Sequence, residues 1–365
     1  MRVGLDATPL LGQRSGVGRY VAGLLSGMGE LVDGPELLLT LFSLRGQLPP
    51  TPGHQFSEAP RRLPARLLRR TWAHSALPPA EVLTGRIDVF HGTNFMTPPT
   101  ARAASVVTVH DLAFLHHADT VTGDAVHYRT LVPRALSRGA HVITVSRAVA
   151  EEVRDTYRLP AERVSVAHHG VDPAWAAAAL PDAGTRERLG LPPRYVLFAG
   201  NQEPRKNLGL LVRAHRDARQ SLEGVPPLVL VGPAGWGDRW QGTPPDPADV
   251  VVLGYLSDDD LPSVVRGASA LCMPSTYEGF GLPVVEALAA GVPVLASDIA
   301  AHREVGGDQV QLVDPRDASA WSRALGELDQ APGTPATRRA WASRYTWRES
   351  ALAHLRAWER AVEAR

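Results

Sequence analysis

The 365-residue sequence predicts an α/β protein built from two doubly wound, Rossmann-like domains. Short apolar runs alternate with helix-patterned stretches along the whole chain, the pattern of parallel sheets joined by right-handed crossovers. Most of the runs are continuous Val, Leu and Ile, as in strands buried on both faces. They fall evenly into two halves around an Ala-, Pro- and Gly-rich stretch, and the length exceeds that of one typical domain.

In the first half the strand candidates are Arg2 to Ala7, Leu37 to Leu44, Asp88 to Gly92, Ser105 to His110, His141 to Val145 and Val164 to His168. In the second half they are Tyr195 to Gly200, Pro227 to Gly232, Val250 to Tyr255, Ala270 to Pro274, Pro293 to Ser297 and Val310 to Val313. This gives a first domain over 1–172, a linker over 173–194 and a second domain over 195–346. A last helix, Trp347 to Arg365, follows. No internal repeat of solenoid length is present.

Composition narrows the function classes. Hydrophobic residues make up 44%, enough for sizeable cores, and the formal net charge is zero, so nothing argues for nucleic acid as a partner. The one cysteine, Cys272, lies in an apolar run and reads as a core residue, which leaves no disulfide framework within the chain. The segment Met1-Arg2-Val3-Gly4-Leu5-Asp6 enters a strand directly and lacks a signal peptide's apolar region. No apolar run approaches the ~18 residues of a spanning helix. A soluble, cytoplasmic protein is expected.

Two segments carry chemistry. The first runs Ser275-Thr276-Tyr277-Glu278-Gly279-Phe280-Gly281-Leu282-Pro283-Val284-Val285-Glu286. It reads as a strand end, a glycine turn and a helix opened by proline. A helix start fed by a glycine turn suits an anion. Glu278 and Glu286 could accept paired hydrogen bonds from vicinal hydroxyls. The arrangement suits a phosphate flanked by two sugars, although any doubly wound domain contains strand, glycine turn and helix. The second segment is Gly200-Asn201-Gln202-Glu203-Pro204-Arg205-Lys206-Asn207, after the run Tyr195 to Ala199. Of 38 Lys plus Arg residues, only Lys206 is lysine. A compact ammonium beside a planar guanidinium can neutralise a diphosphate; the plain alternative is one surviving surface lysine. Doubly wound sheets bind ligands at such strand ends.

These segments, with the two-domain pattern, resemble the retaining glycosyltransferases of family 4, which have the GT-B fold. Further matching segments are Gly16-Val17-Gly18-Arg19-Tyr20, Val107-Thr108-Val109-His110-Asp111, Val145-Ser146, His169-Gly170-Val171-Asp172, Gly291-Val292-Pro293-Val294, Ala301-His302-Arg303-Glu304-Val305-Gly306-Gly307 and Val313-Asp314-Pro315. The resemblance implies two Rossmann-like domains facing across a cleft, the first binding the acceptor and the second the nucleotide sugar. It also implies that the last helix returns to the first domain. Glu278 would contact the donor hexose and Glu286 the ribose. Gly279, Phe280, Gly281 and Leu282 would form the turn at the diphosphate, with backbone N–H groups of the last three cradling it. Arg205 and Lys206 would neutralise the leaving phosphates. His110 would lie beside the donor sugar, and Gly16 and Gly18 would form the glycine loop near donor phosphate and acceptor. Asn201 departs from the family, where arginine is common, and Arg205 is the candidate to supply that charge.

The expected chemistry is retaining, metal-independent hexosyl transfer with no cofactor, from a nucleotide sugar, with a lean towards GDP-mannose. The expected acceptor is a saccharide, lipid-linked or natural-product hydroxyl. A non-catalytic binding protein or another GT-B enzyme, an epimerase or phosphorylase, is the alternative. His110 could instead be a core-facing histidine, and Asp111 reads best as a cap. Val21 stands where a full dinucleotide fingerprint needs glycine, which counts against a nicotinamide enzyme. The loops over 46–84 and 114–122 carry no readable acceptor code. In Arg61 to Trp72 arginines alternate with Leu and Trp, which gives either a solvated helix face or a peripheral contact with an anionic membrane.

Overall fold

The computed structural model describes residues 1–11, 16–48, 56–116, 125–238 and 240–365, with the side chains of 65, 66, 69, 125 and 126 left aside. Most of the expected loop segment 114–122 therefore lies outside the described residues, as do the side chains of Arg66 and Arg69. The chain forms two compact units. One comprises Met1–Gly170 together with Tyr345–Arg365, and the other Val171–Arg344.

The first unit holds a parallel sheet of β1 (Arg2–Asp6), β2 (Glu36–Thr40), β3 (Phe56–Glu58), β4 (Val89–Gly92), β5 (Ala104–Val109), β6 (His141–Thr144) and β7 (Val164–Val166). Their order is β3-β2-β1-β4-β5-β6-β7. The register is continuous, with Leu5 opposite Leu39 and His91, and Val109 opposite Thr144. The sequence predicts six strands here; the seventh, β3, is a three-residue edge strand with Ser57 and Glu58 exposed. An edge strand this short has no continuous apolar run to betray it. The run Leu37 to Leu44 also leaves the sheet early, because the Thr8 hydroxyl accepts the Phe42 N–H at 2.9 Å and turns the chain.

The second unit repeats the plan with β8 (Val196–Ala199), β9 (Leu228–Val231), β10 (Val250–Gly254), β11 (Ala270–Met273), β12 (Val294–Ser297) and β13 (Gln311–Val313). The order is β10-β9-β8-β11-β12-β13, again parallel. Strands β8, β9, β11 and β12 are buried along their whole length. Cys272 is a fully buried core residue. Residues 173–194, expected as a linker, lie inside this unit. Asp172 and Asp182 each accept backbone N–H groups at the starts of two short helices, Pro173–Ala176 and Ala183–Leu189, and Trp175 is buried. Side-chain caps of this kind turn an Ala- and Pro-rich stretch into ordered helix starts.

The last helix, Trp347–Glu363, belongs to the first unit and packs on the helix Gly16–Gly29. A Cβ added to Gly23 would lie 2.0 Å from the Trp347 ring, and one added to Gly170 would lie 2.2 Å from the Trp347 nitrogen. Glycine at these positions is what lets the helix return. Among the described residues no helix is long and apolar enough to cross a membrane.

Candidate functional site

The charged part of the site lies at the carboxyl ends of β8 and β11 in the second unit. After β8 the chain passes through Gly200, whose φ is +150°, and reaches a single 3-10 turn, Pro204–Lys206. Asn207 takes φ +56° and starts the helix Leu208–Ser221. A non-glycine residue in this left-handed region needs fixing from outside. The Asn207 amide supplies it, donating to Pro274 O at 3.2 Å and to Pro315 O at 2.9 Å. The loop after β11 is stitched to the same turn, since Thr276 N–H donates to Arg205 O at 2.9 Å.

This stitching brings Glu278 onto both cations. Lys206 Nζ donates to Glu278 Oε1 at 2.5 Å, and Arg205 Nη1 donates to Oε2 at 2.8 Å and to Tyr277 O at 3.0 Å. The Ser275 hydroxyl adds a third bond to Oε1 at 2.7 Å. Arg205 is held from its other side by Glu203, Nη2 to Oε1 at 2.6 Å. Burial on its own would raise the Glu278 carboxyl, but Lys206 and Arg205 hold it well below the usual carboxylate range. Two cations and two carboxylates thus form an almost water-excluded, internally neutral network. Asn201, where the family favours arginine, is exposed and outside it.

Downstream of Glu278 the helix Leu282–Ala289 starts at Gly281, with φ +100° and no side-chain cap. Pro283 has no N–H, and the N–H groups of Gly281 and Leu282 have no acceptor among the described residues. These are the orphan donors that make a helix start receptive to an anion. Glu286 lies one turn in and is buried. His302 lies against Gly281: a Cβ there would meet His302 Cδ2 at 3.3 Å. His302 donates from Nδ1 to Ser297 O at 3.0 Å.

The remaining predicted residues lie in the first unit. Gly16 and Gly18 occupy the first turn of the helix Gly16–Gly29, not a free loop, and residues 12–15 before them lie outside the described residues. That helix carries Tyr20 onto His110, ring centroids 5.1 Å apart and nearly perpendicular. His110 lies just past β5 and is largely buried. Its Nε2 donates to Thr93 O at 2.8 Å, which assigns the ring hydrogen because a carbonyl only accepts. Asp111 caps the next helix through the Ala113 N–H at 3.0 Å.

Behind His110 is a polar cluster with no counterpart in the sequence reading. His354 Nδ1 donates to Ser350 O at 2.8 Å, so its Nε2 accepts from the Tyr20 hydroxyl, also at 2.8 Å. The Tyr20 oxygen then accepts from Thr108 Oγ1 at 3.0 Å, and Thr108 accepts from His91 Nε2 at 2.7 Å. His169 tilts against Tyr20 at 4.9 Å. Burial lowers His91, His110, His169 and His354 below the ordinary histidine range, His354 to about 4, and pushes the Tyr20 hydroxyl upward.

The structure therefore joins Glu278, Arg205 and Lys206 directly and places Gly279 to Glu286 in the same segment, whereas His110, Gly16 and Gly18 belong to the other unit. The sequence assigns no role to Glu203 and Ser275, although both stand inside the quoted motifs; a carboxylate two residues before Arg205 is the one signal it carries.

In the helix Ala65–Trp72 the described apolar side chains divide between core and surface. Leu68 and Trp72 are buried, and the Trp72 indole donates to Pro78 O at 3.0 Å. Leu67 is exposed. Among the described residues no group of three or more His, Cys, Asp or Glu is placed to hold a metal ion.

Comparison with known proteins bears on both units. Residues 185–344 match the family model "Glycosyl transferases group 1", and residues 14–175 match "Glycosyltransferase Family 4". An O-antigen chain mannosyltransferase B of Escherichia coli is 30% identical over 88% of this chain and 89% of its own. A D-inositol 3-phosphate glycosyltransferase of Salinispora arenicola is 31% identical over 71% of this chain and 64% of its own. Among solved structures, a sucrose-phosphate synthase from Thermosynechococcus elongatus covers all of both chains at TM-score 0.72 and 19% identity. Anabaena HepE, solved with UDP and glucose, covers 97% of this chain and 98% of its own at TM-score 0.69 and 19% identity. The structural matches bear on the fold, GT-B, and the sequence matches on the activity: the chain belongs to the group 1 glycosyltransferases of family 4 and is a glycosyltransferase enzyme.

Proposed function

We propose that this enzyme transfers a hexose from a nucleotide sugar, GDP-mannose foremost, to a hydroxyl of a saccharide, lipid-linked or natural-product acceptor, with retention and without a metal ion. The observation that carries the proposal is the cation pair Arg205 and Lys206, held by Glu278 at the turn that leads into an uncapped helix start. Cleavage of the anomeric C–O bond sends its electron pair to the diphosphate oxygen. Lys206, Arg205 and the N–H groups of Gly281 and Leu282 stabilise that charge where it develops. The acceptor oxygen forms its bond on the face the phosphate leaves, and the acceptor proton passes to the departing phosphate oxygen. Glu278, stripped of its own proton across the working pH range, accepts hydroxyls of the sugar, and Glu286 takes the ribose. His110, Gly16 and Gly18 are assigned to the same reaction on the resemblance, the first unit taking the acceptor.

The lean to GDP-mannose rests on relatives named as O-antigen chain mannosyltransferases, from Escherichia coli and Salmonella typhimurium. Peripheral contact with an anionic membrane rests on exposed Leu67, which lies between exposed Arg61 and Arg70 in the sequence. Salt-sensitive co-sedimentation with anionic vesicles tests it, and no sedimentation ends it.

A thermal-shift panel of GDP-, UDP-, dTDP- and ADP-hexoses with EDTA present tests the donor and the metal. A ligand at a hundred times its dissociation constant adds about 2.7 kcal/mol of stability. One nucleotide class should raise the melt in EDTA and lose that effect in Lys206→Ala. A shift that requires metal, or that survives Lys206→Ala, overturns the reading.

A further inference from the structure

A second basic site lies in the first unit, at the amino ends of its strands. There a cavity of about 860 Å³ opens between the starts of β5, β6 and β7 and the end of the helix Trp347–Glu363. Ligands of doubly wound sheets bind at the opposite, carboxyl ends. The six residues of β5 separate the two edges by about 17 Å, so this cavity is no extension of the region around His110.

The lining has the character of an anion site. Arg138, Arg163 and Arg360 converge on it, each pinned through one nitrogen. Arg163 Nη2 donates to Leu136 O at 3.0 Å and to Ala140 O at 2.6 Å. Arg138 Nη2 donates to Ser75 O at 2.8 Å and to Trp72 O at 3.3 Å. Arg360 Nη1 reaches Ser165 Oγ at 3.5 Å. The other guanidinium nitrogens of all three have no partner among the described residues, and no carboxylate lies within ion-pair distance of them. Glu162 and Glu363 also line the cavity but pair with none of the three. Forks fixed at one end and unused at the other suit bidentate recognition of a tetrahedral anion.

His141 lines the same cavity from inside. It is 4% exposed, and its Nε2 meets Ser165 Oγ at 2.9 Å. Burial first, and then the positive charges of Arg360 and Arg163, push it down to about 4.

We propose that this cavity binds a phosphate group, presented by a soluble phosphorylated molecule or by an anionic lipid headgroup, at a site separate from the nucleotide-sugar region. Pyrophosphate is the probe. Calorimetric titration of the full chain should show two classes of site, one lost in Lys206→Ala and the other weakened about tenfold in Arg360→Gln, which is about 1.4 kcal/mol. Arg360→Lys should recover part of that loss. The His141 ring resonances should titrate at higher pH once pyrophosphate is bound, a response that a purely structural arginine would not produce. If Arg360→Gln misfolds, Arg138→Gln replaces it. Phosphatidylglycerol vesicles that sediment the wild type but not Arg360→Gln assign the phosphate to lipid, and pyrophosphate binding without sedimentation assigns it to a soluble ligand. Pyrophosphate binding that is unchanged in both Arg360→Gln and Arg138→Gln, or wholly abolished by Lys206→Ala, overturns the proposal.

Discussion

The two units bury polar groups at comparable depth by opposite means. The second unit keeps Glu278 charged by surrounding it with Lys206, Arg205 and the Ser275 hydroxyl. The first keeps His91, His110, His169 and His354 neutral; His91 and His354 are joined through Thr108 and Tyr20 to the Ser350 carbonyl, and His110 donates to Thr93 O. Burying a charge costs several kcal/mol unless it is paired and hydrogen-bonded, whereas a neutral polar group needs only its hydrogen bond. The charged solution stands beside the uncapped helix start, where leaving-group charge would be stabilised. The neutral one anchors the last helix through His354. The difference shows that one architecture can hold an electrostatic device in one half and a structural polar core in the other.

Removing the charge tests the first half of that contrast. Lys206→Ala deprives Glu278 of one partner and the site of its only lysine. It should lower kcat/KM at least about 100-fold, or about 2.7 kcal/mol, in a transferase assay with the donor found by the thermal panel. Activity within tenfold of wild type would make Lys206 a bystander.

Acid should break the neutral half first. A histidine whose folded pKa is depressed stays neutral in the native state while the unfolded chain takes up a proton. The unfolded state then binds more protons, and stability falls as pH drops below the unfolded value of 6.5. Between 6.5 and 5 this amounts to about 2 kcal/mol for one such histidine, at about 1.36 kcal/mol per pH unit. Glu278 behaves otherwise: its depressed pKa contributes stability above the unfolded value of 4.5, lost only as pH falls below that value. Urea unfolding at pH 7, 6 and 5 should therefore show the first unit, with five depressed histidines against His215 and His302 in the second, losing more stability than the second. A flat profile over this range would mean the histidines accept protons in place.

Tyr20→Phe tests the relay itself. It leaves Thr108 and His354 short of a partner and should cost about 1.5 kcal/mol of the first unit's stability, read as a lower urea midpoint. The smallest effect is expected of Gly281→Ala, where φ +100° and the nearby His302 ring disfavour a side chain. A cost of about 1 kcal/mol is expected, together with weaker binding of the donor; unchanged binding would detach the helix start from the site.

Local regularities made much of the molecule readable. Continuous apolar runs mark β8, β9, β11 and β12 because strands buried on both faces admit little else. Gly281 and Pro283 mark the start of the helix that follows β11, since a left-handed turn and a fixed φ are local requirements. The placement of Glu278, Arg205 and Lys206 past the ends of β11 and β8 was legible because each follows a continuous apolar run. Other features depended on which distant segments the folded chain brings together. Lys206 and Glu278 meet across 72 positions, and Tyr20 and His354 across 334, because the order of strands and the return of the last helix place them side by side. Arginine alternation gave no warning that Trp72 faces inward, since the burial of a helix face depends on what packs against it. Glu203 likewise gains its part only when Arg205 turns to it. Propensity and punctuation act over a few residues, whereas charge pairing and burial act through space.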